Sequence, residues 1–197
     1  MKKHRHLKPS SHSAAGDNRL RIIGGQWRGR VLKFPNAPDL RPTGSRVRET
    51  LFNWLQHRIP GSRCLDLFAG SGALGIEAVS RGAESATLVD SHPKVVRVLH
   101  NNVVALESDS LFVVQDTALN FLRAVTQPFD IVFLDPPFSA NGLQTLLAAL
   151  TQATIKKNGF IYLEQDKWAN VPELPENWEI LREKTFANVK CWLVEVH

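Results

Sequence analysis

Long apolar runs are absent from this 197-residue chain, and cysteine is scarce. No stretch approaches the ~20 consecutive apolar residues that a membrane-spanning helix needs, so we expect no membrane partner. The basic N-terminus lacks the apolar segment of a secretory signal, which argues against export. Cys64 and Cys191 form neither a CxxC pair nor a metal-ligand spacing. We therefore expect reduced thiols, no bound metal and a cytoplasmic location.

Acidic residues are also scarce at the start of the chain. Residues 1–48 contain 12 of the 24 lysines and arginines but only two acids, whereas the remaining 149 residues contain 12 bases and 17 acids. A basic front end on an acidic body is typical of proteins that bind a polyanion, most simply nucleic acid. Within residues 1–18, the lack of periodicity instead favours a flexible, solvated basic tail.

Residues 19–60 are predicted to form a small extension. Strands at 19–23 and 28–34 should pair as a hairpin on which basic and apolar residues alternate. A helix should follow, capped by Thr43 or Ser45. The basic side of this extension is either a solvated face or a set of phosphate contacts. The charge asymmetry favours phosphate contacts, which would come from Arg21, Arg28, Arg30, Arg46 and Arg48.

Residues 61–197 alternate between strand-like and helix-like patterns. Strands are expected at 64–68, 86–90, 111–114, 129–134 and 160–164, and helices at 73–81, 93–106, 118–125 and 143–153. This alternation predicts a parallel sheet with helices on both faces. Two further β-type runs, 178–185 and 189–196, indicate a terminal antiparallel hairpin. The expected fold is therefore α/β and Rossmann-like, with a mostly parallel seven-stranded sheet.

Glycines mark the first strand-to-helix junction, which reads Asp66-Leu67-Phe68-Ala69-Gly70-Ser71-Gly72-Ala73-Leu74-Gly75. Gly70 and Gly72 permit a tight turn and close approach of a ligand, and Gly75 permits close helix–strand packing. A GxGxxG pattern alone is weak, because nicotinamide-dependent enzymes share it. Asp90 lies twenty residues beyond Gly70. There, at the end of the second strand, its carboxylate can accept hydrogen bonds from both ribose hydroxyls.

The carboxylate of Asp66 distinguishes two classes of ligand. It lies four residues before Gly70, where it would repel a pyrophosphate but attract an ammonium or a sulfonium. S-adenosylmethionine carries both cations and an adenosine, whose amino group Asp116 can bind. The alternatives are structural. Asp66 would be held by backbone amides at the helix start, and Asp116 would be the N-cap of the following helix.

A second motif, Asp135-Pro136-Pro137-Phe138, follows the apolar strand 129–134. It should therefore lie at the carboxyl edge of the sheet, on a loop that the prolines stiffen. The Asp135 carboxylate and the Pro136 carbonyl suit the two hydrogens of an exocyclic base amine, and Phe138 can stack on the base. The alternative is a proline-rich turn with a capping Asp. The expected reaction is direct in-line methyl transfer without a covalent enzyme intermediate.

These motifs, together with the segments 21–30, 41–43 and 46–55, resemble the bacterial ribosomal RNA small-subunit methyltransferase D family. That family lies within the class I S-adenosylmethionine-dependent methyltransferases, and the similarity covers residues 19–196. The resemblance implies methylation of the N2 amine of one guanine, at a guanine-966 type site of 16S ribosomal RNA. It also implies a substrate within the 30S subunit or its assembly intermediate, with S-adenosylhomocysteine as the product. We expect a monomer.

The resemblance also implies roles for individual residues. Those that would line the cofactor are Asp66, Phe68, Gly70, Gly72, Asp90, Asp116, Arg41 and Thr43, and those that would orient the guanine are Asp135, Pro136, Pro137 and Phe138. This sequence departs from the family pattern twice. Asp90 stands where Glu is common, so its ribose contact is looser or bridged by water. Phe138 replaces a common Tyr, so stacking remains without a hydroxyl contact.

Three alternatives remain open at this point. The second motif would also serve an adenine-N6 methyltransferase acting on DNA. A nicotinamide-dependent oxidoreductase would use the glycine loop but would leave the second motif unexplained. An RNA-binding module that has kept the fold would retain its biological activity after the substitution Asp135→Ala. Outside these motifs, Trp168 and Trp178 are expected to pack against the protein and not to stack on bases.

Overall fold

The computed structural model describes residues 18–35, 42–136 and 142–197. The tail at 1–17 and three residues with predicted roles, Arg41, Pro137 and Phe138, lie outside the described residues. Asn18, which was assigned to the tail, is the first residue of a strand. Among the described helices, none has the length and apolar character needed to cross a membrane.

The N-terminal extension consists of β1 (Asn18–Arg21), β2 (Val31–Phe34) and α1 (Ser45–Trp54). β1 and β2 pair antiparallel with Leu20 opposite Leu32, so the predicted hairpin is confirmed. The predicted cap of α1 is wrong, since the N-cap is Gly44 and no side chain bonds to the helix start. Thr43 is instead hydrogen-bonded to a distant residue, which is described with the site.

The remaining elements are, in chain order, β3 (Arg63–Asp66), α2 (Ala73–Ser80), β4 (Ser85–Asp90), α3 (Pro93–Leu106), β5 (Leu111–Gln115), α4 (Ala118–Ala124), β6 (Phe129–Leu134), α5 (Leu143–Ala149), β7 (Ile155–Asp166), β8 (Trp178–Thr185) and β9 (Val189–Val196). The expected alternation and terminal hairpin are confirmed. β7 is longer than the expected 160–164, because it continues through a polar stretch in which Asn158 has φ 60°. A hydrophobicity pattern does not reveal a strand across such a stretch.

The seven strands of the main sheet are ordered β5-β4-β3-β6-β7-β9-β8. The first five strands in this order, β5, β4, β3, β6 and β7, are parallel. β9 pairs antiparallel with both β7 and β8. The chain builds outward from β3 to β5 and then returns to place β6 on the other side of β3. In open α/β sheets, ligands bind outside the carboxyl ends of the strands at such a reversal.

Two apolar clusters cover the two faces of this sheet. Phe133 packs in a cluster with the hairpin, α1, α2 and α3, whereas its neighbours Val132 and Leu134 pack in a second cluster with α4 and α5. Successive side chains of a strand point to opposite faces, so this alternation assigns each core residue to one face. The extension and the α/β unit therefore share one apolar cluster.

A buried carboxylate fastens the extension to α2. Glu77 accepts hydrogen bonds from the backbone N–H of Ile23 at 2.9 Å and of Gly24 at 2.7 Å. It also forms salt bridges with Arg48 at 3.2 Å and with Arg81 at 2.8 Å. Two cations and two N–H donors compensate for the desolvation of the charge. The hairpin is thereby fixed relative to α2 and the sheet on which α2 packs.

A second polar contact fastens the hairpin to α3. The amide of the buried Asn102 donates to the Lys33 carbonyl at 2.8 Å and accepts from the Lys33 N–H at 3.3 Å. This reciprocal pair satisfies both backbone groups of a residue on β2, as a neighbouring strand would. Glu77 and Asn102 together account for the orientation of the extension.

Candidate active site

Four aspartates gather at the carboxyl edge of the sheet. Asp66 and Asp90 are the last residues of β3 and β4. Asp116 and Asp135 directly follow β5 and β6. These four strands are neighbours around the reversal in strand order, so the sequence-predicted acids are brought to one edge of the sheet.

The glycine loop connects β3 to α2 through two left-handed residues. Gly70 has φ 49° and Gly72 has φ 76°, conformations that other residues adopt at a cost. A Cβ on Gly72 would also lie 2.6 Å from Cδ1 of Ile76, and one on Gly75 would collide with Leu88 on β4. The predicted role of Gly75 in helix–strand packing is confirmed. Gly72 is needed for internal packing as well as for the turn.

Asp90 holds the loop in place. Its Oδ2 accepts a hydrogen bond from the Gly70 N–H at 3.0 Å, and its Oδ1 accepts from the His92 N–H at 2.8 Å. The carboxylate is partly exposed, so lone pairs remain for ligand hydroxyls.

Asp116 lies next to Asp90, since its N–H donates to the Asp90 carbonyl at 3.2 Å. Its Oδ1 accepts from the Thr117 N–H at 2.7 Å. The alternative of Asp116 as an N-cap is wrong, because Thr117 caps α4 by accepting from the Asn120 N–H at 3.3 Å.

Asp66 is the buried member of the group, with 2% of its surface exposed. Its Oδ2 accepts from the Gly75 N–H at 3.0 Å, which joins the end of β3 to α2. Burial, with the charges of Asp135 and Asp90, raises the pKa of Asp66 to about 7. A bound cation relieves this repulsion between carboxylates. The three carboxylates of Asp66, Asp90 and Asp135 therefore fit a cationic ligand such as S-adenosylmethionine and disfavour a pyrophosphate.

The motif after β6 is joined to the extension. The Thr43 hydroxyl donates to Oδ2 of Asp135 at 3.0 Å. Burial raises the pKa of Asp135, the hydrogen bond from Thr43 lowers it, and the resulting pKa is about 6. Thr43 is buried, and it directly precedes Gly44, the N-cap of α1. Pro136 is buried, and Phe68 is half-buried against the second apolar cluster. The contact places Thr43 and Asp135 side by side, and their predicted roles stay predictions.

Glu164 was missed in the sequence. It is 5% exposed, and β6 and β7 pair with Leu134 opposite Leu163, so Glu164 occupies the strand position beside Asp135. The Tyr162 hydroxyl donates to Glu164 Oε2 at 2.7 Å. Burial and then the charge of Asp135 raise the pKa of Glu164 to about 8. Burial and mutual repulsion therefore favour retention of a proton by this carboxyl pair. An acid that ends an apolar strand run was the available signal, the same one that identified Asp135.

The basic residues of the extension divide into two groups. Arg21, Arg28 and Arg30 on the hairpin and Arg46 on α1 are exposed. Arg48 is 2% exposed, and it donates to the Thr43 carbonyl at 3.1 Å as well as pairing with Glu77. The predicted phosphate contact of Arg48 is therefore wrong, because its guanidinium is buried beneath the site. An i, i+2 spacing on a helix places Arg46 and Arg48 on different faces, which explains the outcome.

A cavity of about 630 Å³ opens between the hairpin and the start of α1. Its lining includes Arg19, Arg21, Arg28 and Thr43. Thr43 therefore lines the cavity beside the basic hairpin and also bonds to Asp135 of the second motif.

Comparison with known proteins identifies relatives of this chain. The sequence matches the family described as Conserved hypothetical protein 95 over residues 20–195. It is 44% identical over 184 residues to the Ribosomal RNA small subunit methyltransferase D of Escherichia coli (strain K12), which covers 93% of this chain and 92% of the relative. The Haemophilus influenzae (strain ATCC 51907 / DSM 11121 / KW20 / Rd) protein of the same name is 46% identical over 172 residues, covering 84% of this chain and 88% of the relative.

This chain belongs to the ribosomal RNA small subunit methyltransferase D family. The solved structure of the Escherichia coli protein yhhF superposes with a TM-score of 0.85 at 42% identity, covering 91% of this chain and 99% of that one. The chain is therefore a methyltransferase with the Rossmann-like fold expected from its sequence. Membership of this family does not favour the nicotinamide-dependent alternative or the alternative of a methyltransferase acting on DNA.

Proposed function

We propose that this protein transfers a methyl group from S-adenosylmethionine to the N2 amine of one guanine in 16S ribosomal RNA. The proposed target is a guanine-966 type site in the 30S subunit or its assembly intermediate. The protein would act as a monomer in the cytoplasm. The observation that carries the proposal is the position of Asp135, bonded to Thr43 and beside the acidic edge formed by Asp66 and Asp90. The names of the relatives support the choice of ribosomal RNA.

The bound cofactor supplies an activated methyl group on a sulfonium. In our proposal, Asp66 and the glycine loop hold its methionine end, Asp90 accepts from the ribose hydroxyls and Asp116 accepts from the adenine amine. The residues assigned to the cofactor site are Asp66, Phe68, Gly70, Gly72, Asp90, Asp116, Arg41 and Thr43. No metal is assigned. The fit of the site to a positive charge rests on the mutual repulsion of Asp66, Asp90 and Asp135.

Asp135 and Pro136 provide the acceptors for the guanine amine. An ionised Asp135 accepts one amine hydrogen and the Pro136 carbonyl accepts the other, which orients the nitrogen lone pair toward the methyl group. Pro137 stiffens the loop and Phe138 stacks on the base. Most of the acceleration then comes from alignment of the two reactants. The negative charge of Asp135 stabilises the positive charge that develops on the nitrogen.

The extension provides the RNA contacts in this proposal. In this proposal, residues 18–60 are the RNA-binding extension and residues 61–197 the catalytic domain, and the first 17 residues add to the positive charge of the sequence that precedes the catalytic domain. Phosphates bind to Arg21, Arg28, Arg30 and Arg46, and these contacts offset the few kcal/mol needed to unstack the target base. The cavity beside the hairpin supports this proposal because arginines and Thr43 are among the residues that line it.

Transfer of radiolabel from S-adenosylmethionine to 30S subunits, free 16S ribosomal RNA and DNA tests the proposal. The substrates come from cells lacking the protein, and mass spectrometry identifies the modified nucleoside. We expect N2-methylguanine in ribosomal RNA. Asp135→Ala should abolish transfer while binding of S-adenosylhomocysteine survives. Label confined to DNA, or wild-type transfer by Asp135→Ala, would contradict the proposal.

A further inference from the structure

Trp168 is the most exposed of the large apolar side chains that the described ranges leave on the surface. Its relative exposure is 82%, compared with 54% for Phe112 and 50% for Val171. The expectation that Trp168 packs against the protein is therefore wrong, whereas Trp178 does pack against the second apolar cluster. A tryptophan buries a large apolar area when it finds a partner, so an exposed one commonly marks a binding surface.

The ring of Trp168 is held in a defined position despite its exposure. Asp166 begins a turn in which its Oδ1 accepts from the Trp168 N–H at 2.9 Å and its carbonyl accepts from the Ala169 N–H at 2.9 Å. The Lys167 ammonium lies 4.9 Å from the ring centroid and donates to the Ala187 carbonyl at 2.9 Å. One face of the indole therefore carries a cation that is itself anchored. The backbone that carries the ring is thereby fixed in a turn, and the other face of the indole is open to a partner.

This turn lies at the catalytic edge of the sheet. Glu164 sits beside Asp135, and β7 ends only two residues later, at Asp166. The β8–β9 connection reaches the same edge, because β9 is antiparallel to β7 with Asp166 opposite Val189. Within the extension, the hairpin is fastened to α2 and α3, helices that pack against β3, β4 and β5, whereas α1 reaches β6 through Phe52 and Phe133. Trp168 is thus on the flank of the site opposite the basic hairpin.

We propose that Trp168 and Lys167 form a second RNA contact. The indole stacks on an unpaired base close to the target guanine, and the Lys167 ammonium bonds to a phosphate of the same strand. The inference rests on the proposed function, since it takes ribosomal RNA as the substrate. Aromatic stacking next to a lysine is how proteins commonly hold single-stranded nucleic acid. Lys184, near the end of β8, lies 5.3 Å from the ring of the partly buried Phe186 and adds a further positive charge beside the β8–β9 connection.

RNA is favoured over a protein partner by charge and position. Lys167 forms no salt bridge within the described ranges, and its ammonium donates to the neutral Ala187 carbonyl. Glu183 on the neighbouring β8 is paired with Lys190 at 2.8 Å. The positive charge of Lys167 is therefore available to an anionic partner. A partner with flat apolar faces and a negative backbone satisfies both the indole and the lysine.

Methyl transfer to 30S subunits from cells lacking the protein tests this contact in the full chain. Trp168→Ala should raise KM roughly 5- to 100-fold, with little change in kcat. Trp168→Phe should retain most of the affinity because it keeps a stacking ring. Phe112→Ala is the matched control, an exposed aromatic on the far edge strand β5, and should leave KM unchanged. Thermal unfolding checks that each variant is folded. An unchanged KM in Trp168→Ala overturns the inference.

Protein-free 16S ribosomal RNA distinguishes an RNA contact from a contact with a ribosomal protein. The inference expects Trp168→Ala to weaken transfer to this RNA and to 30S subunits alike. A loss seen only with 30S subunits would mean that the ring contacts a ribosomal protein, which overturns the inference. Lys167→Met should reduce the slope of log affinity against log salt by about 1.

Acrylamide quenching tests the contact without any methyl transfer. Binding of poly(U), a single-stranded RNA, should protect the exposed indole of the wild type from acrylamide, and Trp168→Phe should show no such change. Equal protection in both proteins overturns the inference. If the wild type methylates no ribosomal RNA, the proposed function fails on its own. The quenching result still decides whether Trp168 contacts single-stranded RNA.

Discussion

The Thr43 hydroxyl donates a hydrogen bond to Oδ2 of Asp135 across 3.0 Å, and the two residues are 92 positions apart in the chain. Thr43 belongs to the extension and Asp135 follows the central strand β6. The buried Arg48 supports this arrangement by donating to the Thr43 carbonyl at 3.1 Å. The extension therefore contributes a residue to the candidate active site as well as the proposed RNA-binding surface.

Thr43→Val should impair catalysis most at low pH. The hydroxyl stabilises ionised Asp135, whose pKa is about 6, so its removal raises that pKa and lowers the ionised fraction below neutrality. We expect a loss of about tenfold in the single-turnover rate at about pH 6 and a smaller loss at about pH 8.5. Thr43→Ser keeps the donor and should stay near the wild type. An equal loss at both pH values in Thr43→Val would contradict the assigned role.

The acidic edge should discriminate between the two forms of the cofactor. S-adenosylmethionine carries a sulfonium that S-adenosylhomocysteine lacks. The pKa values of Asp66 and Asp135, about 7 and about 6, mean that acidification neutralises the carboxylates that attract this charge. The ratio of the two affinities should therefore change roughly tenfold in favour of S-adenosylmethionine between about pH 5 and about pH 8.

Calorimetry with both ligands at each pH measures this ratio. Other titrations that affect the two ligands equally cancel from it. Asp135→Asn should reduce its pH dependence. Asp116→Asn is the control, because Asp116 is not among the carboxylates that raise the pKa of Asp66. It should lower the affinity for both ligands and leave the pH dependence of their ratio intact. A ratio that does not vary with pH in the wild type would show that the carboxylates do not act on the sulfonium.

The order of strands and helices was predictable because each element has a distinct hydrophobic pattern. Pro93–Leu106, Phe129–Leu134 and the terminal strands match their predicted bounds. The cap of α1 was not predictable in the same way. Thr43 has the residue type of an N-cap, but a tertiary partner, Asp135, takes its hydroxyl. Local propensity does not register a contact with a residue that is distant in the chain.

The acids of the candidate site that lie at strand ends were predictable from the sequence, whereas the burial of a charged side chain was not. Asp66, Asp90, Asp116 and Asp135 could be assigned to one edge because parallel strands bring their carboxyl ends together. Arg48 was misassigned because basic composition does not distinguish an exposed guanidinium from one that neutralises Glu77. Composition and periodicity do not show whether an arginine on a helix faces solvent or a buried acid on another element.

Glu164→Gln should increase stability at high pH. The pKa of Glu164 is raised to about 8 from an ordinary value of 4.5. Between these two pH values, the folded state keeps a proton that the unfolded state has lost. The wild type therefore loses stability as the pH rises through this window, and Gln, which cannot ionise, does not. Gln also keeps an acceptor for the Tyr162 hydroxyl. Urea unfolding of both proteins at about pH 5, 7 and 9 should show the difference growing with pH and then levelling. A constant difference would mean that Glu164 is already ionised at the lower pH.

Arg46 and Arg48 form a matched pair on α1, one exposed and one 2% exposed. Arg48→Met should cost about 3 kcal/mol, because it breaks a buried salt bridge and leaves Glu77 with Arg81 as its remaining cationic partner. Arg46→Met should change stability by less than about 0.5 kcal/mol. RNA affinity should show the reverse order, with Arg46→Met reducing the salt slope of binding by about 1. Urea unfolding and salt-dependent binding measure the two effects. If folded Arg48→Met lost the same salt slope as Arg46→Met, the Arg48 guanidinium would have to reach RNA, contrary to its burial against Glu77.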